Sequence, residues 1–182
     1  MVLRLERNKG GSSGSAYIFE LQNEAWQQTS KLVPADGASG DYFGSSVDIS
    51  QGQAIVGAYG DVDQGSSPGS AYIYSQDGAS WSQSAKLIGN DGNSSDLLGY
   101  SVGISGNNAI ASAYGNEYGG AAYLFKNTSG AWTETSKIQS SDLSTGDAFG
   151  RSVSTDGNFV MVGAGSDDDK GSSSGSAYIF TF

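Results

Sequence analysis

The side chains of this 182-residue sequence best suited to chemistry are its aspartates. Two stretches, "DVDQG" at 61–65 and "DDDKG" at 167–171, fit the pattern D-x-D-x-G. In both, the acids and the glycine stand eight, six and four residues before the glycine of a recurring "GSAY". Alternate positions bring two carboxylates to one side, the glycine permits a sharp turn, and nearby carbonyls and serine hydroxyls complete an oxygen shell. That is calcium chemistry. The candidate metal ligands are therefore Asp61, Asp63, Asp167 and Asp169. The third acid and distal glutamate of an EF-hand loop are missing, and turn geometry favours Asp, Ser and Gly even without an ion. The same offsets near the start of the chain hold Glu6, Asn8 and Gly10, and Asp168 has no counterpart in the other copies.

A second acidic set is more regular. Asp36 and Asp41, Asp91 and Asp96, and Asp142 and Asp147 lie eight and three residues before the glycine of "FG", "LG" and "FG". Turn chemistry accounts for such a pattern, because an aspartate that accepts hydrogen bonds from nearby backbone amides sets the path of a linker. A cation site is the alternative.

Composition narrows the remaining choices. Nine basic residues against nineteen acidic ones give a formal net charge of −10. Such a surface repels nucleic-acid phosphates and anionic lipid, and favours cations or basic partners. Cysteine and histidine are both absent. The first absence excludes disulfides and thiolate chemistry; the second removes the usual general base. Many serines are present, but nothing activates one as a nucleophile, and the carboxylate pairs all occupy turn positions. The expectation is a non-enzyme. No apolar run reaches the ~20 residues that span a bilayer, and the opening "MVLRLERNKG" lacks the apolar core of a signal peptide.

The elements that position these acids are repeats. "GSAYIF" at 14–19 returns as "GSAYIY" at 69–74, "GAAYLF" at 120–125 and "GSAYIF" at 175–180. "DYFGSSVDI", "DLLGYSVGI" and "DAFGRSVST" form a second series, and "WQQTSKL", "WSQSAKL" and "WTETSKI" a third. Each unit reads as four short strands. Strand A is the "FGxSV" segment; strand B is "AIVGAY", "AIASAY" or "FVMVGA"; strand C is the "SAYIF" segment; strand D starts at the tryptophan. Gly, Asn and Asp occupy the turns between them, and no segment carries a helical period. Four-stranded units of this length have the size of propeller blades.

The units resemble FG-GAP repeats, which build the β-propeller head of integrin α subunits and occur in bacterial surface proteins. The residues that carry the likeness are Phe43-Gly44 and Phe149-Gly150, with Leu98-Gly99 as a degenerate copy, and Gly57-Ala58 and Gly163-Ala164, degraded to Ser112-Ala113 in the middle unit. The resemblance implies an all-β propeller of four-stranded blades and an extracellular or cell-surface adhesion or structural role. It also implies calcium in the loop between strands A and B, but Ser50-Gln51-Gly52-Gln53 is too short to wrap an ion. In an up-and-down blade the B–C loops and D–A linkers emerge at one end, so ten aspartates should share a rim whose repulsion a cation relieves.

Repeat units fall at about 1–40, 41–95, 96–146 and 147–182 of one propeller domain, giving two full blades and two partial ones. The last unit lacks a tryptophan strand, and the first holds only the tail of strand B before C and D. The expectation is a homo-oligomer, filamentous if strand or blade complementation does not close a ring. A carbohydrate-binding propeller and a fragment of a longer propeller are the alternatives. Trp26, Trp81 and Trp132 are expected to cover gaps between blades, the strand C tyrosines to pack, and Lys31, Lys86 and Lys137 to guard outer strands against edge pairing. Asn93 and Asn127 head glycosylation sequons.

Overall fold

A computed structural model of the chain describes residues 2–4, 11–62, 69–93 and 95–182. Glu6, Asn8, Gly10 and Asp63 lie outside the described residues. Fourteen strands form among those described, and no helix. They are β1 (Val2–Arg4), β2 (Ser15–Gln22), β3 (Ala25–Leu32), β4 (Val47–Ser50), β5 (Gln53–Ala58), β6 (Ser70–Asp77) and β7 (Ser80–Leu87) in the first half. The second half holds β8 (Leu98–Ser105), β9 (Asn108–Ala113), β10 (Ala121–Thr128), β11 (Ala131–Ile138), β12 (Phe149–Thr155), β13 (Phe159–Ala164) and β14 (Ser176–Thr181).

These strands make four antiparallel meanders: β1-β2-β3, β4-β5-β6-β7, β8-β9-β10-β11 and β12-β13-β14. The sheets have the form of propeller blades, two of them with four strands and two with three. Local chemistry explains the hairpins. Asn23-Glu24, Gln51-Gly52 and Ser129-Gly130 each place two successive residues at positive φ, the geometry of the tight turn that matches strand twist. The pairings of β2 with β3, β6 with β7 and β10 with β11 repeat in detail, with a register shift after Ile18, Ile73 and Leu124. An extra residue at one place in each of these three pairs turns the two ends of the outer strand to opposite sides of the sheet.

Consecutive sheets pack face to face through three apolar clusters. The central strands are lined with alanine, and Ala54, Ala58, Ala109, Ala111, Ala113 and Ala121 are wholly buried. Small side chains let neighbouring sheets approach closely, and larger ones then fill the space further out. Phe43 and Phe149 are fully buried plugs, each set against two aromatics of its own third strand, with ring centroids 5.5 and 6.0 Å away for Phe43 and 5.5 and 6.2 Å for Phe149.

The repeated sequence markers meet where one sheet hands on to the next. Gly14, Gly69 and Gly120, the first glycines of the "GSAY" series, bridge Phe43, Leu98 and Phe149 of the following sheet. The "FG" glycines 44, 99 and 150 have φ of 90°, 84° and 91°, and the residues before each plug, Tyr42, Leu97 and Ala148, also have positive φ. The turn into each blade is thus a left-handed pair flanking a buried plug. A Cβ on Gly99 would come within 2.1 Å of the Ser70 carbonyl oxygen, and one on Gly57 within 1.9 Å of that of Gly99. Glycine is required here because backbone meets backbone.

Candidate functional site

The loops after the second strands and the linkers between sheets come together at one end of the fold. Gly60, Gly115 and Ser166 donate their amides to the carbonyls of Asp41, Asp96 and Asp147. The linker aspartates then divide into two roles. Asp41, Asp96 and Asp147 are buried and accept from the backbone amides of Ala38, Asn93 and Ser144, each three residues earlier, at 2.5, 2.8 and 2.6 Å. They hold the linker turns.

Asp36, Asp91 and Asp142 instead reach the tyrosine of the next sheet's third strand. In the second sheet Tyr72 donates its hydroxyl to Asp61 at 2.6 Å and to Asp36 at 3.1 Å. The Lys86 ammonium lies 2.7 Å from Asp36 and 2.8 Å from Asp61, and 5.2 Å from the centre of the Tyr72 ring. In the third sheet Tyr123 donates to Asp91 at 2.7 Å, and Lys137 pairs with Asp91 at 2.8 Å. Asn116 takes the place of Asp61 there; both residues donate their amides to the alanine carbonyl three residues back. In the fourth sheet Tyr178 donates to Asp167 at 2.7 Å and to Asp142 at 3.1 Å. No lysine or arginine pairs with these two acids among the described residues.

Asp167 is buried, and its other carboxylate oxygen accepts from the Asp169 amide at 3.1 Å, while Asp169 itself is exposed. Asp61 is likewise buried against its tyrosine. Among the described residues no three acidic side chains are placed to share a metal ion. Asn93 is exposed in its linker, and Asn127 accepts from the Gly130 amide in the turn before β11.

The electrostatics follow from these partners. Burial alone would raise Asp36, but the hydrogen bond and charge of Lys86 overcome it and leave the carboxyl below its ordinary range. Lys137 and then Tyr123 lower Asp91; Ser140, with Tyr178 among lesser causes, lowers Asp142; and Tyr178 followed by the Asp169 amide lowers Asp167. Depressed carboxylates contribute stability that is present above pH ~4 and lost as the pH falls through their folded values. The tyrosines shift the other way. Burial first, then the adjacent carboxylates, raise Tyr72 and Tyr123, while Asp167 heads the causes that push Tyr178 up to about 12. Their contribution is complete below pH ~10 and disappears above it. In an alkaline titration followed at 295 nm, Tyr72 and Tyr123 are expected to ionise only as the chain unfolds. Tyr178→Phe should remove a separate wave near pH 12. Ionisation of all ten tyrosines in one step near pH 10 would contradict this placement.

Sequence reasoning missed the tyrosine–acid–lysine groups. The strand C tyrosines do pack, but the hydroxyls of Tyr72, Tyr123 and Tyr178 also bind acids. Lys86 and Lys137, read as guards on outer strands, are side chains only 20% and 23% exposed that neutralise acids. The equal spacing of Tyr, Lys and linker Asp in Tyr17/Lys31/Asp36, Tyr72/Lys86/Asp91 and Tyr123/Lys137/Asp142 was the available signal. Of the tryptophans, Trp81 and Trp132 pack against the clusters between sheets, as expected, whereas Trp26 is 68% exposed. A row of half-buried tyrosines also went unread: Tyr42 stacks on Tyr59 at 4.8 Å, and Tyr59, Tyr100 and Tyr114 continue it.

Comparison with curated proteins finds no match. The FG-GAP repeat model matches residues 26–74, 81–125 and 132–180. Each match opens on the tryptophan of an outer strand, β3, β7 or β11, and ends on the third strand of the following sheet, so the sequence repeat runs one strand out of phase with the sheet. With three matches spread over most of its length, the chain belongs to the FG-GAP repeat family.

Proposed function

We propose that this chain is a non-enzymatic structural or adhesion module of extracellular or cell-surface setting, which assembles through the open face of its fourth sheet. One observation carries the reading. Phe159, Met161 and Ile179 are 51%, 50% and 66% exposed, on the face turned away from the third sheet. Met161 and Ile179 correspond to Ile55 and Ile73 of the second sheet and to Ile110 and Leu124 of the third, all buried against a following sheet. A contiguous apolar face of this kind marks an interaction surface. The first sheet of a second copy fits it, because the face of that sheet turned away from the second sheet carries Leu21 and Trp26, 60% and 68% exposed and paired across β2 and β3.

Light scattering across a concentration series is expected to show mass rising above that of one chain, and Met161→Asp should return it to a monomer. A wild-type monomer at high concentration would sink the assembly reading and favour a longer propeller in which further chain covers the face. The acid rim completes the proposal as a cation-binding surface. Lysine serves as the cation in two sheets, and the Asp142–Asp167 pair is left for one from outside, calcium included. A melting point raised by calcium and restored by chelator supports calcium at this pair; one indifferent to both rejects it. The tyrosine row from Tyr42 to Tyr114 favours a second reading, glycan binding by ring stacking, for which a glycan array read by protein fluorescence is the test.

A further inference from the structure

The fourth sheet lacks more than a covering face. Among the described residues it also has no outer strand, and what such a strand would carry can be read from the other sheets. The three outer strands β3, β7 and β11 share one pattern, Trp-x-(Gln/Glu)-x-x-Lys-(Leu/Ile), from Trp26, Trp81 and Trp132. Each pairs with its third strand in the same register: the lysine opposite the tyrosine, the aliphatic residue opposite the preceding alanine, and the tryptophan opposite the fourth residue after the tyrosine.

In the two complete sheets, every patterned side chain has a receiver. Trp81 packs against a cluster that holds Ile18, Leu32 and Tyr74, and Trp132 against one that holds Ile73, Leu87 and Phe125. Gln83 accepts from the Ala35 amide at 3.1 Å, and Glu134 from the Asn90 amide at 2.8 Å. The lysines sit on the acids and the tyrosine ring. Leu87 and Ile138 join the cluster that leads to the next sheet.

The fourth sheet has the same receivers without the strand. Among the described residues β14 pairs only with β13, so its outer edge is open. A groove of about 540 Å³ lies between the third and fourth sheets, lined in part by Leu124, Ile138, Phe180 and Phe182. The first three correspond to the residues that receive Trp81 and Trp132. Tyr178, Asp142 and Asp167 reproduce the arrangement around Tyr72 with no ammonium paired to the acids among the described residues. Ser141 stands three residues after Ile138, as Ala35 and Asn90 stand after Leu32 and Leu87.

We propose that this edge, groove and acid pair form one docking site for an extended peptide segment of the pattern Trp-x-(Gln/Glu)-x-x-Lys-(Leu/Ile), supplied by another polypeptide. The segment runs antiparallel to β14, its lysine opposite Tyr178 and its tryptophan opposite Phe182. Strand addition supplies affinity through main-chain hydrogen bonds, and the lysine and tryptophan supply selectivity. The proposal deepens the assembly reading, since it takes the same incomplete sheet as its site.

The probe is a fluorescein-labelled peptide of residues 130–140, GAWTETSKIQS, titrated with the full chain in chelator and followed by anisotropy. Saturable binding is expected. Replacing the peptide's lysine by norleucine, or its tryptophan by alanine, should each weaken binding at least tenfold. Asp167→Asn in the protein should weaken the lysine peptide but leave the norleucine peptide nearly unchanged. Peptide substitutions leave the protein intact, so loss of fold cannot imitate the result. No saturable binding, or equal binding by the lysine and norleucine peptides, overturns the proposal. Met161→Asp lies on the open face and off the edge, so a variant that no longer assembles should still take the peptide. Assembly and strand capture can therefore fail separately.

Discussion

Gly120→Ala is expected to destabilise the fold by at least about 3 kcal/mol, with a lower urea midpoint and an unchanged slope. Two physical terms add. Gly120 has φ of +110°, where an L-residue is strained, and its Cβ would lie 2.0 Å from the Phe149 carbonyl oxygen. That oxygen belongs to the backbone bridge between the third and fourth sheets, so it cannot swing aside as a side chain would. Relief requires the sheets to part, and the cluster around Phe149, Val160 and Val162 loses its close packing. Gly146→Ala is the control. Its φ is +104°, but nothing lies within 4 Å of the added Cβ, so only the strain of about 1–2 kcal/mol is expected. Equal losses in the two variants would mean that the bridge carries no packing energy.

The second large effect is expected for Lys86→Met. The substitution keeps most of the apolar stem and removes the one ammonium shared by Asp36 and Asp61. Asp61 is buried, and the neutral hydroxyl of Tyr72 does not balance the charge of a carboxylate in that place. A loss of about 2–3 kcal/mol at pH 7 follows, below the full cost of breaking a buried pair because Asp36 and Lys86 keep some water. Adding Asp61→Asn should recover part of the loss, since the buried charge that Lys86 paired with is then gone. The difference between wild type and Lys86→Met should also narrow below about pH 4, where the carboxyls take up protons. Lys137→Met should cost under about 1 kcal/mol, because the acid it pairs with, Asp91, is more than half exposed. Thermal melts of the wild type and these three variants at pH 7 and at pH 3.5 decide these points, and equal losses for Lys86→Met and Lys137→Met would reject the burial argument.

Both predictions turn on residues whose recurrence was plain in the chain while their purpose was not. The strands, the tight turns and the four-unit arrangement were legible because they depend on local information. Alternating apolar residues, Gly and Asn at turns, and a repeat near fifty residues are properties of neighbours in sequence. The linker aspartates were legible for the same reason, as Asp41, Asp96 and Asp147 bind amides three residues away. The partners of Asp36, Asp91 and Asp142 lie further off, with Tyr72 separated from Asp36 by 36 residues and Lys86 by 50. Only the stacking of one sheet on the next brings them together.

What the sequence determined by itself is the unit: a four-stranded meander, its turns, its buried plug and its place among FG-GAP repeats. Tertiary structure decided what the conserved-looking markers within the chain are for. The "GSAY" and "FG" glycines serve backbone contact between sheets, and the tyrosine, lysine and aspartates form one polar group across a linker. It also separated the tryptophans, since Trp81 and Trp132 have a neighbouring sheet to cover and Trp26 stands exposed. The physical reason is the phase between repeat and sheet. A strand pattern is written within one repeat, but each blade is completed by the first strand of the next, so a site shared by two repeats takes shape only when both are folded.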